Sequence, residues 1–174
     1  MPIRFESIPH SPALLRTRLS ARCASIKAWT GGRSRGVPSL RGTRKHLSVT
    51  KALIDQTEGI AGYFTLATGQ VDFSDLPTDL ARRLPRRTLP VAILAWLGVS
   101  KTHQGQGLGR LLLAQSLLDC HEAGKTFAFI AVILDCINDE SRSFYQKWDF
   151  QALPGSPYRL YLSAKQLEAM IQGP

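Results

Sequence analysis

Cysteine is scarce in this sequence, and its spacing suits neither a metal site nor a disulfide framework. The 174 residues include only Cys23, Cys120 and Cys136, with no Cys-x-x-Cys and no His-x-x-x-His. We therefore expect no metal and a reducing compartment. The sequence also lacks a run of about 18 apolar residues and the compact apolar core of a secretory signal, which favours a cytoplasmic protein without a membrane partner.

Acidic residues are nearly absent from the start of the chain. Residues 1–46 hold ten basic residues against the single acid Glu6, whereas the remainder balances at twelve of each. The formal net charge of +9 is thus a property of this segment and says little about what the folded core binds. We predict a basic N-terminal arm over 1–46 and one globular domain over 47–174. The Arg-rich, Ser-rich arm also resembles an organellar transit peptide.

Hydrophobic patterning predicts an α/β fold. We expect five strands, the first two forming a hairpin, over 47–55, 60–68, 89–99, 127–137 and 159–163. The expected helices are a short one within 72–87, one over 108–123, one capped by Asn138 and a short one at the C-terminus. Strand, crossover helix and strand over 89–137 predict a parallel, right-handed unit.

The predicted helix over 108–123 is apolar around much of its circumference. We expect its buried face, widened by Leu113 and Leu117, to consist of Leu108, Leu111, Leu112, Gln115 and Leu118. Gly124 supplies the signal that ends the helix.

Three glycines, Gly105, Gly107 and Gly109, separate the strand over 89–99 from that helix. Backbone amides at a helix start converge on an anion, and glycine lets the backbone approach phosphate oxygens, so this loop predicts a phosphate site. The alternative is a tight turn that needs glycine only for its geometry. No Gly-Lys-Ser/Thr ending follows, which excludes a Walker loop, and the spacing is not Gly-x-Gly-x-x-Gly, which disfavours a dinucleotide site.

The pattern Gln104-x-x-Gly107-x-Gly109 after an apolar strand resembles the pyrophosphate-binding signature of the GNAT N-acetyltransferase family. The wider sequence, over about 36–167, is similar to the toxins of bacterial toxin–antitoxin pairs that acetylate aminoacyl-tRNA. The stretches that carry this similarity are 62–66, 97–114, 135–138 and 143–150.

This resemblance implies the GNAT fold, a mixed central sheet with splayed parallel strands flanked by helices, and acetyl-CoA as co-substrate. It implies that the backbone of Leu97 and Val99 pairs with the pantetheine arm and the acetyl group, and that Tyr145 is catalytic near the thioester sulfur. The other residues expected at the acetyl-CoA site are Gln104, Gly105, Gln106, Gly107, Leu108, Gly109, Arg110 and Asn138.

Tyr145 follows the cap Asn138 by seven residues, so both side chains can face one cleft. A tyrosine there can donate a hydrogen bond to the departing thiolate. Because phenols are weaker acids than thiols, we expect a hydrogen-bonding acid rather than full proton transfer. The alternative is an amphipathic tyrosine with its ring in the core and its hydroxyl at the surface.

The strand over 89–99 contains no acid to act as a general base. A lysine amine, with a pKa of about 10.4, would need a base, whereas an α-amine of pKa about 8 is partly neutral at physiological pH. The sequence therefore favours an α-amino acceptor. His103 is a second candidate base, but beside the phosphate loop we expect it to face solvent. A backbone amide near Val99 would meet the oxyanion.

Arg82, Arg83, Arg86 and Arg87 form a basic cluster that is either a solvated surface or a tRNA contact. The resemblance implies an aminoacyl-tRNA substrate, a ribbon-helix-helix antitoxin, a homodimer and the bacterial cytoplasm. An acetyltransferase for protein N-termini or small amines, or a degenerate acetyl-CoA-binding protein, are the alternatives.

Three positions depart from the toxin family. Trp96 replaces its usual arginine, Ser100 its aspartate and Asp149 its glycine.

Overall fold

The computed structural model describes residues 4–7, 48–55 and 59–172. It contains seven strands: β1 Arg4–Ser7, β2 Ser48–Asp55, β3 Gly59–Val71, β4 Leu89–Val99, β5 Ala131–Asp135, β6 Gln151–Leu153 and β7 Ser156–Ser163. Its α-helices are α1 Thr78–Ala81, α2 Leu108–Gly124, α3 Asp139–Gln146 and α4 Ala164–Gln172. Short 3-10 turns cover Phe73–Asp75 and Lys101–His103.

The strands form one mixed sheet in the order β1-β2-β3-β4-β5-β7-β6. The pair β2 and β3 is antiparallel, as the predicted hairpin requires, and β4 and β5 are parallel through Ala92 opposite Val132 and Ile93 opposite Ile133. The predicted α/β class, the mixed sheet and the parallel strand–helix–strand unit are confirmed. Most of the predicted arm over 1–46 lies outside the described residues; within it, Arg4–Ser7 pairs with β2 as an unexpected edge strand.

The described residues divide into two compact units. The first runs up to Ala67 and resumes over Ala95–Ser116, and the second comprises Thr68–Leu94 and the chain from Leu117. In the first unit, a Cβ on Gly62 would lie 2.7 Å from Leu112 Cδ1 and 2.8 Å from the Gly98 carbonyl oxygen. Glycine at 62 therefore lets α2 pack closely on β3 and the end of β4, just before the glycine loop.

The core of the second unit lies where β4, β5 and β7 meet the segment around α1. Leu89, Val91, Ile133 and Tyr161 are buried there together with Leu76. Leu80 and Leu84 pack against this core while partly exposed, and the short helix predicted within 72–87 is present. The regular helix, however, is only Thr78–Ala81, because Pro77 and Pro85 bound it.

The buried face of α2 differs from the prediction. Leu111 and Leu118 are 45% and 44% exposed, whereas Leu112, Leu113 and Leu117 are buried. Ser116 and Cys120 complete the buried stripe one turn apart. With leucine nearly all round the helix, periodicity alone does not select the face that packs; the sheet selects it.

Two strand predictions near the C-terminal half were wrong in extent. The strand predicted over 127–137 is only Ala131–Asp135, and Phe127 is 76% exposed because the amides of Thr126 and Phe127 still bond to the Ala123 carbonyl oxygen at the end of α2. The short strand β6 was not predicted. It pairs antiparallel with β7, which starts three residues before the predicted 159.

A left-handed turn ends the segment after α3. Asp149 has φ +61°, and it is the only non-glycine residue with positive φ among the described residues. Its amide donates to the Gln146 carbonyl oxygen at 3.2 Å, and the turn delivers the buried Phe150 to the start of β6. An aspartate tolerates this conformation less well than the glycine usual in the toxin family.

Candidate active site

The glycine loop joins β4 to α2 through a short turn. Ser100 and the 3-10 turn Lys101–His103 follow β4, Gln104–Gly107 are exposed, and α2 begins at Leu108. Gly105 and Gly107 both have φ +77°, and a Cβ at either would meet no atom within 4 Å. Backbone conformation, rather than crowding, therefore requires glycine at both positions, and it leaves open space in front of the loop.

Backbone amides at the start of α2 point along the helix axis into this loop. The Gly107 carbonyl oxygen accepts from Arg110 N at 3.0 Å and from Leu111 N at 3.3 Å. The amides of Leu108 and Gly109 come before these bonds, in the turn where an α-helix has no partners of its own. Together with the positive end of the helix dipole and the exposed Arg110, they fit a diphosphate.

Gln104 connects the loop to the end of β4. Its Nε2 donates to the Val99 carbonyl oxygen at 3.4 Å, a long hydrogen bond. Leu97 and Val99, the strand positions predicted to meet the pantetheine arm, are half-buried. The first unit thus brings the predicted strand and loop positions of the acetyl-CoA site together.

His103 does not face solvent as predicted. It is 6% exposed, its Nδ1 lies 2.9 Å from Thr102 Oγ1, and its Nε2 lies 3.8 Å from Asp55 Oδ2. A strand–turn–helix pattern places a histidine near a loop but does not show that the turn folds its side chain inward. Sequence reasoning therefore missed these contacts.

Tyr145 lies in α3, in the second unit, and is half-buried. Its ring makes edge-on contacts with Phe144 at 5.1 Å and with Phe150 at 5.9 Å between centroids. Burial raises the pKa of the Tyr145 phenol well above its ordinary value, and the nearby Cys136 adds to this shift. The Tyr145 phenol is therefore protonated at physiological pH and is unsuited to act as a base.

Cys136 follows β5 and is buried. Burial, followed by the charge of Asp135, raises the pKa of its thiol to about 11. A thiol with that pKa is protonated at neutral pH, so Cys136 is not an activated nucleophile competing for an acyl group.

Asn138 caps α3, as predicted. Its Oδ1 accepts from Ser141 N at 2.8 Å, while Ser141 Oγ accepts from Asn138 N at 3.2 Å, which forms a reciprocal capping box. Asp139 and Glu140 occupy the first turn, where negative charge is favourable. The cap fixes the start of the helix that carries Tyr145.

Replacing Asn138 with alanine is expected to lower the free energy of unfolding by about 1 kcal/mol, because it removes the cap acceptor. Asn138→Asp keeps an acceptor at the same place and is the matched control, expected to stay within about 0.5 kcal/mol of the parent. Urea denaturation measures both. Equal stability of the alanine variant and the parent would show that the cap contributes nothing.

The basic cluster lies between α1 and β4. All four of its arginines, Arg82, Arg83, Arg86 and Arg87, are exposed, and none takes part in an ion pair found among the described residues. Their charge is thus available to a phosphate-bearing partner.

Neither a metal cluster nor a membrane helix is found in the described part of the chain. Residues 4–7, 48–55 and 59–172 hold no group of three or more His, Cys, Asp or Glu side chains suited to a metal ion. The helices in these same ranges are too short or too polar to cross a bilayer.

Comparison with known proteins defines the class. The family model described as an acetyltransferase (GNAT) domain matches residues 51–152. A "tRNA-acetylating toxin" of Mycobacterium tuberculosis (strain ATCC 25618 / H37Rv) is 34% identical over 112 residues, 64% of this chain and 67% of that protein. The chain therefore belongs to the GNAT acetyltransferase family and is an N-acetyltransferase that uses acetyl-CoA as its donor.

Solved structures agree on the fold. AtaT complexed with acetyl-methionyl-tRNAfMet superposes with a TM-score of 0.75 at 18% identity, covering 98% of this chain and 99% of that one. AtaTR bound with AcCoA superposes with a TM-score of 0.72 at 18% identity, covering 97% and 98% respectively. Both likenesses extend over almost the whole chain.

Proposed function

We propose that this protein acetylates the α-amino group of aminoacyl-tRNA and thereby blocks translation. The observation that carries the proposal is the 34% identity to a tRNA-acetylating toxin across two thirds of that protein's length. The region matched by the GNAT family model, residues 51–152, contains the groups that the reaction needs: the glycine loop, the end of β4 and Tyr145.

The chemistry of β4 supports an α-amine as the acceptor. No aspartate or glutamate lies on this strand between Leu89 and Val99, so it supplies no carboxylate base. An aminoacyl α-amine with a pKa of about 8 is partly neutral near pH 7.5 and attacks without one. A lysine ε-amine, at about 10.4, would be almost wholly protonated.

Acetyl-CoA supplies the acetyl group and departs as the free thiol. The amides of Leu108 and Gly109 would hold its diphosphate, and the amide of Val99 would meet the carbonyl oxygen as negative charge develops there. As the amine forms its bond to the acetyl carbon and the C–S bond breaks, Tyr145 would donate a hydrogen bond to the leaving sulfur. Because the pKa of Tyr145 is raised, its proton stays largely on the phenol, and the proton lost by the amine neutralises the thiolate through solvent.

The exposed arginines supply the surface for the acceptor. Phosphate contacts give most of the affinity of proteins for nucleic acids and make it sensitive to salt.

The further assembly that we propose is a homodimer in the bacterial cytoplasm, inhibited by a ribbon-helix-helix antitoxin. Mass photometry of the purified toxin and a pull-down with the product of an adjacent short reading frame test these two points.

Incubation with radiolabelled acetyl-CoA and total charged tRNA tests the reaction. We expect label on charged tRNA and none on deacylated tRNA, because only the former carries an α-amine. Label on both, or on neither, would contradict the proposal. Label on peptides with free N-termini but not on charged tRNA would instead indicate a protein N-terminal acetyltransferase.

Replacing Arg86 and Arg87 with glutamine is expected to raise the KM for charged tRNA about fivefold to tenfold at low salt, since two phosphate contacts are lost. The KM for acetyl-CoA should not change, and the slope of log KM against log salt should become shallower. Lys125→Gln with Lys165→Gln removes the same charge from other exposed positions and serves as control. An equal effect in both pairs would mean that only net charge matters.

A further inference from the structure

A line of polar side chains lies in the turn that leads into the glycine loop. Ser100 Oγ lies 3.1 Å from Thr102 Oγ1, and Thr102 Oγ1 lies 2.9 Å from His103 Nδ1. On the other side of the ring, His103 Nε2 lies 3.8 Å from Asp55 Oδ2, at ion-pair distance. We name Asp55, His103, Thr102 and Ser100 the turn network.

Within the turn network, Ser100 and His103 are buried, Asp55 is partly buried and Thr102 is exposed. Ser100 is 1% and His103 6% exposed, and the side chain of Asp55 is 19% exposed. A buried polar group costs free energy unless it finds a partner, and here each side chain has one. The network therefore stabilises one arrangement of the turn, because other arrangements would leave its buried groups without partners.

Backbone bonds connect this arrangement to the sheet on one side and to the loop on the other. Ser100 N donates to the Ala61 carbonyl oxygen in β3 at 2.7 Å, and His103 N donates to the Ser100 carbonyl oxygen at 2.9 Å. The backbone N–H of Gln104, the first residue of the glycine loop, donates a hydrogen bond to the Lys101 carbonyl oxygen at 3.4 Å. A rotation of the turn would displace Gln104 and the amides that follow it.

The Asp55 carboxylate, 3.8 Å from His103 Nε2, favours the tautomer that carries its proton on Nε2. With that tautomer, Nδ1 can accept from the Thr102 hydroxyl, and Thr102 Oγ1 can accept from Ser100. Both hydroxyls then have an acceptor, and the Nε2 proton faces the carboxylate at ion-pair distance. A histidine is suited to the middle position because its two ring nitrogens reach partners on opposite sides.

We propose that His103 is a positioning residue for the diphosphate of acetyl-CoA: held between Asp55 and Thr102, it keeps the turn in the arrangement that aims the amides of the Gln104–Gly109 loop. This inference rests on the proposed role of that loop. His103 touches neither the substrate nor the reacting atoms; it acts through the backbone of the turn.

Two ligands that differ in the diphosphate test the inference. Acetyl-CoA contains it, and S-acetylpantetheine carries the same thioester and pantetheine arm without it. The dissociation constant of acetyl-CoA is measured by titration calorimetry, and that of S-acetylpantetheine by NMR titration, which detects weak binding. A residue that merely stabilises the fold would affect both ligands alike.

Substitution of His103 by leucine is expected to weaken acetyl-CoA binding about tenfold and leave S-acetylpantetheine within twofold. His103→Asn keeps an amide near the position of Nδ1 and should recover binding to within about threefold. Thr102→Val removes a hydroxyl at an exposed position and leaves the shape of the side chain nearly unchanged, so this variant should fold even if the leucine variant does not. It should show the same selective loss of acetyl-CoA binding. His121→Leu is the matched control at the half-buried histidine of α2.

The outcomes separate the inference from the proposed function. An equal loss for both ligands, or an undiminished affinity for acetyl-CoA in His103→Leu and Thr102→Val, overturns the positioning role. If Gly107→Val weakens acetyl-CoA while these two variants do not, only this inference fails. If Gly107→Val also has no effect, the loop does not hold the diphosphate, and both the positioning role of His103 and the proposed role of the loop fail.

Discussion

Replacing Tyr145 with phenylalanine is expected to lower kcat for charged tRNA by about a hundredfold or more, with the KM for acetyl-CoA within twofold. The phenol hydroxyl would act on the sulfur only as the C–S bond breaks, so its loss affects the transition state rather than binding. The ring remains, and with it the edge-on contacts to Phe144 and Phe150. Single-turnover measurements with saturating acetyl-CoA give the rate of the chemical step.

Tyr158→Phe is the matched control, since it removes a hydroxyl that bonds to Asp139 at the surface. It should leave kcat unchanged.

The pH profile offers an independent check. Because the pKa of Tyr145 is raised, the phenol keeps its proton as pH rises through 10, the ordinary pKa, so the rate should not fall between pH 8 and 10 on its account. An unchanged kcat in Tyr145→Phe would remove the mechanism.

Gly107→Val is expected to raise the dissociation constant of acetyl-CoA at least tenfold. A β-branched side chain is strongly disfavoured at φ +77°, so the backbone must leave this conformation, and the amides at the start of α2 are then no longer aimed together. The free space around Gly107 means that the effect comes from the backbone and not from a clash. Calorimetry with acetyl-CoA measures it.

Gly155→Val is a control with the same local strain. Gly155 has φ +73° in the turn between β6 and β7, and a Cβ there also meets no atom within 4 Å. Both variants should lose a similar amount of stability, about 1–2 kcal/mol, but only Gly107→Val should lose acetyl-CoA affinity. A matching loss of acetyl-CoA affinity in Gly155→Val would show that the effect of Gly107→Val comes from general destabilisation of the protein.

Features encoded by neighbouring residues were predicted well from the sequence. The bounds of β4 are those predicted, and α2 ends only one residue later than expected. These bounds could be predicted because glycines within the sequence itself mark the end of the apolar run and the end of the helical pattern. The capping box at Asn138 was predicted in part for the same reason: Asn and its acidic first turn are adjacent in the chain. The position of the glycine loop followed from these elements.

Features that depend on distant residues were missed. The exposure of Leu111 and the inward fold of His103 depend on partners in β2 and the sheet, and no local period records them. The ring of Phe150 against Tyr145 depends on the left-handed turn at Asp149. The loop was predicted as a phosphate site from its glycines and the helix start, whereas its assignment to acetyl-CoA and the roles of Asn138 and Tyr145 came from the family resemblance. These roles stay predictions until the variants above are measured.

The left-handed turn at Asp149 also bears on how this protein can change by mutation. An aspartate codon becomes a glycine codon by a single nucleotide substitution, so the chain is one step from a residue that adopts φ +61° without a steric penalty. We expect Asp149→Gly to raise the free energy of unfolding by about 0.5–1 kcal/mol in thermal denaturation. In a library selected for heat resistance, glycine at this position should be recovered repeatedly, whereas proline or valine, which cannot adopt the turn, should be depleted.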